Sequence, residues 1–323
     1  MNRIIGLSTF TVMAALFIGT SAAQVPFPSR PILLVVPFTP GTGIDILART
    51  LGPRLADRLG QPVAVDNKAG ASSLIGTEFV ARAAPDGHTL LVTATSLTIT
   101  AALNKKLPYD VEKSFAPISL VATGTSALLV GNNTTAQNVG ELVTLAKAKA
   151  GALNYGSPGI GTGPHLAIEL FKQEAGINMT HIPYKGAAGS FVDLIGGRID
   201  TMFQPIHASL TYLQQGKLRM LAILADSRSA VVPNVPTMKE AGYPNVQLEN
   251  WYGMLAPAGT PRDIIARLNN EINAQLGTTV VREELAKQGL STVGGSPARL
   301  EDTIRSELVR WARVVAAGNI KAE

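Results

Sequence analysis

Two stretches of this sequence place glycines where the first amides of a helix would be left bare. Pro37-Phe38-Thr39-Pro40-Gly41-Thr42-Gly43-Ile44-Asp45 follows an apolar run and opens a helical pattern. Gly156-Ser157-Pro158-Gly159-Ile160-Gly161-Thr162-Gly163-Pro164-His165 repeats that arrangement far downstream. The first N–H groups of a helix have no intrahelical acceptor, and the aligned peptide dipoles make that end positive. Each loop is therefore a place for an anion. Glycine removes the Cβ that would stand between ligand and amide, and Ser157 and Thr162 add hydroxyls. One such loop alone reads equally well as a tight connection. Two on separate domains, facing each other across a cleft, would grip one anion from both sides, because ligands of open α/β sheets sit beyond the carboxyl ends of strands.

Several other chemistries are excluded. There is no G-x-x-x-x-G-K-[ST] and no G-x-G-x-x-G followed by an acidic residue in register, so a nucleotide fits poorly. Without cysteine in 323 residues, thiol catalysis, disulfides, cysteine-ligated zinc and iron–sulfur clusters are ruled out. His88, His181 and His207 are too scattered to propose a metal site, and neither metal nor cofactor is expected. The net charge of +5 is dispersed, with Lys105-Lys106 the longest basic run, so the clustered footprint of a nucleic-acid binder is missing. The competing class is an exported α/β enzyme acting on a small carboxylate. Against it, there is no G-x-S-x-G elbow, no H-E-x-x-H and no carboxylate pair in an apolar setting. A third class, an adhesion or structural protein, predicts no stabilisation by any ligand.

The elements that must position the loops alternate along the chain. Ile32-Leu33-Leu34-Val35-Val36 is a continuous apolar run, suited to a strand buried on both faces of a parallel sheet. Ile44, Leu47, Ala48, Leu51, Leu55 and Leu59 recur at helical spacing, and Gly60 ends that helix. Strands at 62–65 and 89–93 with a helix at 76–83 complete a doubly wound α/β pattern. The pattern restarts near 125, with a strand at 128–130, helices at 139–150 and 164–174, and a strand at 153–155 leading into the second loop. A further strand is read at 218–224. Beyond Trp251, Ile264, Ile265, Leu268, Ile272 and Leu276 mark one amphipathic helix, and another starts near Ala298; these carry no sheet of their own. The economical arrangement is two domains, 24–125 plus 249–323 and 126–248, joined by crossovers near 125 and 249. The chain length suits two such domains.

Residues 1–23 read as a secretory signal. Arg3 is the positive start, 4–18 the apolar stretch, and Ser21-Ala22-Ala23 the small residues before cleavage at Ala23-Gln24. The apolar stretch is shorter than the roughly 20 residues of a membrane span, although an uncleaved anchor is the alternative. A soluble periplasmic protein is expected.

PFTPGTGIDILAR, AAPDGHTLL, LPYDVEKSFAPI, LNYGSPGIGTGPHLAIELF, HIPYKGAAGSFVDLIGGRIDTMF and the PNVPTMKEAGYP segment follow one another through nearly the whole chain. In that order they resemble the successive signatures of the Bug-type extracytoplasmic solute receptors of tripartite tricarboxylate transporters. The resemblance implies a two-domain Venus-flytrap fold of the periplasmic binding protein kind, each domain a sheet flanked by helices. It also implies a small organic acid held between the glycine loops, and delivery to the small and large membrane subunits of the transporter by a monomeric receptor.

Matched position by position, the resemblance places Phe38, Pro40, Gly41 and Asp45 of the first loop and Ser157, Gly159, Gly161 and His165 of the second at the ligand. Thr39, Thr42, Gly43, Ile160 and Thr162 of the same loops are further candidates, Thr42 standing where such receptors often have glycine. Tyr184, Gly186, Ala187 and Ala188 match a segment approaching from the far side, and Thr95 and Ser96 follow the third strand. Gln204 stands where such receptors often have an acidic residue. An amide there disfavours an ammonium on the ligand, so a mono- or dicarboxylate lacking an amino group is expected. Three residues also carry plainer readings. Asp45 and His165 lie in the first turn of a helix, where each can serve its own backbone, and Lys185 can stay solvated. Trp251 and Tyr252 suit hinge packing, and Phe38 suits a cleft wall.

Overall fold

A computed structural model describes residues 26–320 apart from 105, 150, 185, 318 and 319, so both the signal sequence and Lys185 lie outside the described residues. The chain runs β1 (Ile32–Val36), α1 (Gly43–Leu59), β2 (Val63–Asn67), α2 (Leu74–Ala81), β3 (Thr89–Ala94), α3 (Ser96–Leu103) and β4 (Phe115–Gly131). It continues α4 (Val139–Ala148), β5 (Asn154–Ser157), α5 (Gly163–Ala175), β6 (Thr180–Pro183), α6 (Ala187–Ile195), β7 (Thr201–Pro205), α7 (Ile206–Gln214) and β8 (Leu218–Ile223). It ends with β9 (Glu249–Pro257), α8 (Arg262–Leu276), α9 (Thr279–Ala286), β10 (Leu290–Thr292) and α10 (Pro297–Ala317).

The first sheet has the order β2-β1-β3-β9-β4. β1 pairs in parallel with β2 and β3, and α1 and α2 provide the crossovers that parallel neighbours require. Ile32, Leu34, Val35 and Val36 are buried, as a strand covered by helices on both sides demands. On α1 the stripe Leu47, Leu51, Leu55 and Leu59 is buried against this sheet, each side chain worth about 1.5–3 kcal/mol of transfer free energy. Gly60 ends the helix at φ 71°, its N–H bonded to the Ala56 carbonyl at 2.9 Å, a left-handed position that glycine occupies without strain.

β4 joins the two lobes. Phe115 to Thr125 pairs with β9 in the first sheet, and from Ser126 onward the same strand pairs with β7 and β8 in the second. β7, β5 and β6 then follow in parallel. The sequence reads a strand only at 128–130; in the fold the strand runs from Phe115 and passes between the sheets at the small residues Gly124, Thr125 and Ser126. Gly124 has no room for a side chain, since a Cβ there would lie 2.9 Å from Leu290. Beyond α8 the sequence reading is corrected. The final segment adds α9, and β10 pairs antiparallel with β4, so it does contribute to the sheet. Trp311 of α10 belongs to the buried cluster that also holds Leu166 and Phe171 of α5.

Candidate functional site

Both glycine loops end at the same place. Between the lobes lie two connected chambers, an inner one of about 130 Å³ and an outer one of about 650 Å³, sharing Phe38, Thr39, Pro158 and Gly186. The inner chamber is walled by the N-terminal ends of five helices: Gly43 of α1, Ser96 of α3, Gly163 of α5, Ala187 of α6 and His207 of α7. Among the described residues no Lys, Arg, Asp or Glu lines either chamber. Attraction for an anion here comes from helix ends and neutral donors rather than from a cation. The Ser96 hydroxyl is buried on this wall without a hydrogen-bond partner. Burial pushes His207 down to about 4, so it stands uncharged at neutral pH.

The first loop is held open by a carboxylate. Asp45 accepts hydrogen bonds from the Gly41 amide at 2.9 Å, Asn67 Nδ2 at 2.9 Å and Arg49 Nε at 3.0 Å, while Asn67 also bonds the Phe38 carbonyl at 3.0 Å. Burial raises this carboxyl, but the bonds from Arg49, Gly41 and Asn67 outweigh it and leave the group below its ordinary value. Gly43 packs against β9 so tightly that a Cβ would lie 2.9 Å from the Tyr252 ring.

The second loop rests on neutral groups. Ser157 Oγ accepts from the Gly159 amide and lies 2.7 Å from His181 Nε2; Thr162 Oγ1 donates to the Gly159 carbonyl at 2.7 Å. The Gly161 amide donates to His165 Nδ1 at 3.2 Å. His165 and His181 stack with ring centres 4.2 Å apart, and Tyr155 stacks on His181 at 4.7 Å. Burial pushes His165 down to about 4; burial together with the neighbouring His165 pushes His181 to about 3. Both rings are uncharged at neutral pH, which is what lets Nδ1 of His165 accept a bond.

The lobes touch across the cleft. Ser72 Oγ donates to the Ile160 carbonyl at 3.1 Å, and Leu103 lies where a Cβ on Gly161, at φ +75°, would fall 2.4 Å from its Cδ1. Ser72 belongs to a run, Ala71-Ser72-Ser73, with positive φ at every residue, a conformation costly for side-chain-bearing residues. Thr100 Oγ1 braces it with a bond to the Ser72 carbonyl at 3.2 Å.

Of the residues singled out from sequence, Gly41, Thr42, Gly43, Thr95, Ser96, Thr162, Ala187 and Gln204 line the inner chamber. Gly159, Ile160, Gly161 and Tyr184 line the outer one, and Phe38, Thr39 and Gly186 border both. Pro40, Asp45, Ser157, His165 and Ala188 line neither chamber. Pro40 and Ala188 are exposed beside the site, and Asp45, Ser157 and His165 are turned inward onto the loops' own amides. His165 and His181, far apart in sequence, meet in space, yet no group of three or more metal-ligating side chains occurs among the described residues. Tyr252 does more than pack a hinge, since it and Asn250 line the inner chamber. The end of α7, which brings Pro205, His207 and Ala208 to the inner chamber, carries no glycine loop, which hid its role.

Two lobes joined by β4 and β9, with a ligand-sized cleft between them, define a two-domain periplasmic binding protein. The chain belongs to the family described as Tripartite tricarboxylate transporter family receptor, whose profile matches residues 47–320. It is 37% identical over 316 residues to Protein BugT of Bordetella pertussis, covering 96% of this chain and 97% of that one. Among solved structures, an R. palustris protein with adipate superposes with a TM-score of 0.88 at 33% identity, over 92% of this chain and 99% of that one. MatC from Rhodopseudomonas palustris with bound malate gives 0.84 at 32% identity, over 90% and 100%. No helix among the described residues is long and apolar enough to cross a membrane.

Proposed function

We propose that this protein is an exported solute receptor that binds a small mono- or dicarboxylate lacking an amino group and presents it to the small and large membrane subunits of a tripartite transporter. The observation that carries the reading is the convergence of five helix N-termini on one small chamber with no charged side chain on its wall among the described residues. A carboxylate entering it exchanges water for amides of both loops. Each charge-assisted bond contributes about 1.5–3 kcal/mol, which suffices for micromolar affinity after the costs of association. Relatives solved with malate and adipate support the ligand class. Gln204, buried on the chamber wall, offers no carboxylate to an ammonium.

We assign residues 1–23 to a cleaved signal, 24–125 plus 249–323 to one lobe and 126–248 to the other. The switch of β4 between sheets at Thr125 and Ser126 supports that hinge. The receptor works as a monomeric clamp: a ligand that touches both lobes favours the closed form over the open one. A thermal-shift screen against a carboxylate library tests the reading. Saturable stabilisation without turnover is the expected result. Consumption of the stabilising acid would mark an enzyme, and indifference to the whole library a structural protein. Small-angle scattering with a binding acid should show compaction, and unchanged dimensions would refute the clamp.

A further inference from the structure

Resting on the carboxylate-receptor reading, we infer that the ligand is a monocarboxylate whose uncharged, apolar tail fills the outer chamber, and that a second carboxylate at its far end is selected against. Size sets the first condition. The inner chamber, at about 130 Å³, is too small for a whole ligand of ordinary size and takes the carboxylate end. Ligand pockets usually span about 300–1,000 Å³. The outer chamber of about 650 Å³ falls in that range and opens directly from the inner one past Phe38 and Pro158. The rest of the ligand lies there.

Polarity sets the second condition. Four of the side-chain donors on the outer chamber are already turned onto protein acceptors. Ser72 Oγ bonds the Ile160 carbonyl at 3.1 Å, Thr100 Oγ1 the Ser72 carbonyl at 3.2 Å, Asn104 Nδ2 the Thr100 carbonyl at 2.9 Å, and Tyr184 Oη the Asp193 carboxylate at 2.6 Å. The Ser73 hydroxyl, buried there without a partner, and the Thr39 hydroxyl remain, and two neutral side-chain donors do not compensate a desolvated carboxylate. Behind Tyr184, Asp193 is paired with Arg198, so that corner of the chamber offers a second carboxylate no net positive charge. What remains is apolar wall, with Phe38, Leu74, Leu103, Ile160, Pro158 and Pro183 on it. The two chambers thus divide the work: donors without charge for one carboxylate, and hydrocarbon for the rest.

The test is calorimetry on the purified protein with acids matched in shape and differing at one end. The pairs are 4-methylbenzoate against terephthalate, hexanoate against adipate, and the tightest acid from the carboxylate screen against an analogue with one carboxylate more or fewer. The neutral-ended member of each pair that binds should be tighter by about tenfold or more. A dicarboxylate that binds as well or better overturns this inference while leaving the receptor reading intact, whereas failure of every acid overturns both. Because Lys185 lies outside the described residues, the titrations are repeated on Lys185→Gln. Dicarboxylate binding that disappears in K185Q would reveal a charge at the far end and likewise overturn the inference.

Discussion

The two glycine loops present the same backbone geometry to the cleft and are supported in opposite ways. Behind the first lies an ionised carboxylate, Asp45, tied to a half-exposed Arg49 and to Asn67. Behind the second lies an uncharged stack of His165, His181 and Tyr155. Either support takes up some of its loop's amides, Gly41 on Asp45 in the first and Gly159 and Gly161 on Ser157 and His165 in the second, and so fixes the turn that aims the remaining ones at the cleft. The stack carries no charge of its own, but it leans on a half-buried ion pair, since Tyr155 Oη donates to Glu169 and Lys172 Nζ holds that carboxylate at 2.7 Å. It has a cost, since the histidines must stay unprotonated.

Acid should therefore separate the loops, and this is the largest effect expected. His165 and His181 have folded-state pKa values near 4 and 3, below the ordinary 6.5. The unfolded chain thus binds protons that the folded one refuses. The stability is fully present above pH 6.5 and is lost as pH falls toward 4, by an amount on the order of 3 kcal/mol at pH 5. His207, pushed down to about 4, contributes in the same direction. Asp45 acts in a lower window: its pKa is depressed, so its contribution is present above its ordinary 3.8 and disappears only below that. Urea unfolding at stepped pH checks this, and a flat profile between 6.5 and 4 would contradict it.

Removing single supports ranks next. His165→Ala leaves the Gly161 amide without its acceptor and opens a void in a stacked cluster, which should cost about 3 kcal/mol in denaturant unfolding. Asp45→Ala releases the Gly41 amide, Arg49 and Asn67 at a more exposed loop, for about 2 kcal/mol. A larger loss in D45A than in H165A would reverse the comparison. Smallest is Ser72→Ala, which deletes the bond to the Ile160 carbonyl across the cleft. It should cost at most about 1 kcal/mol and weaken ligand binding severalfold, as titration of the variant will read.

Both loops were legible in the sequence because strand, glycine turn and helix are local signals. Gly41, Gly43, Gly161 and Thr162 stand at the chambers for the reason their spacing suggested. The inward-turned role of Asp45 was one of two readings that local sequence allowed, and only the positions of Asn67 and Arg49 decide between them. The meeting of His165 with His181 depends on β5 and β6 lying side by side in register, Tyr155 against His181. Such register is a tertiary fact. Asn250 and Tyr252 reach the inner chamber because β9 is inserted between β3 and β4, and nothing in their local sequence reports the insertion. In the same way β10 is too short to show a period, and it becomes a strand only by pairing with Thr123 and its neighbours.

The most direct measurement is a crystal structure of the protein with the tightest acid from the carboxylate screen. The carboxylate should lie in the inner chamber, its oxygens within hydrogen-bonding distance of the amides of Thr42 or Gly43 on one side and of Gly163 on the other. A carboxylate bound by one loop alone, or lying in the outer chamber with the tail turned inward, would contradict the account.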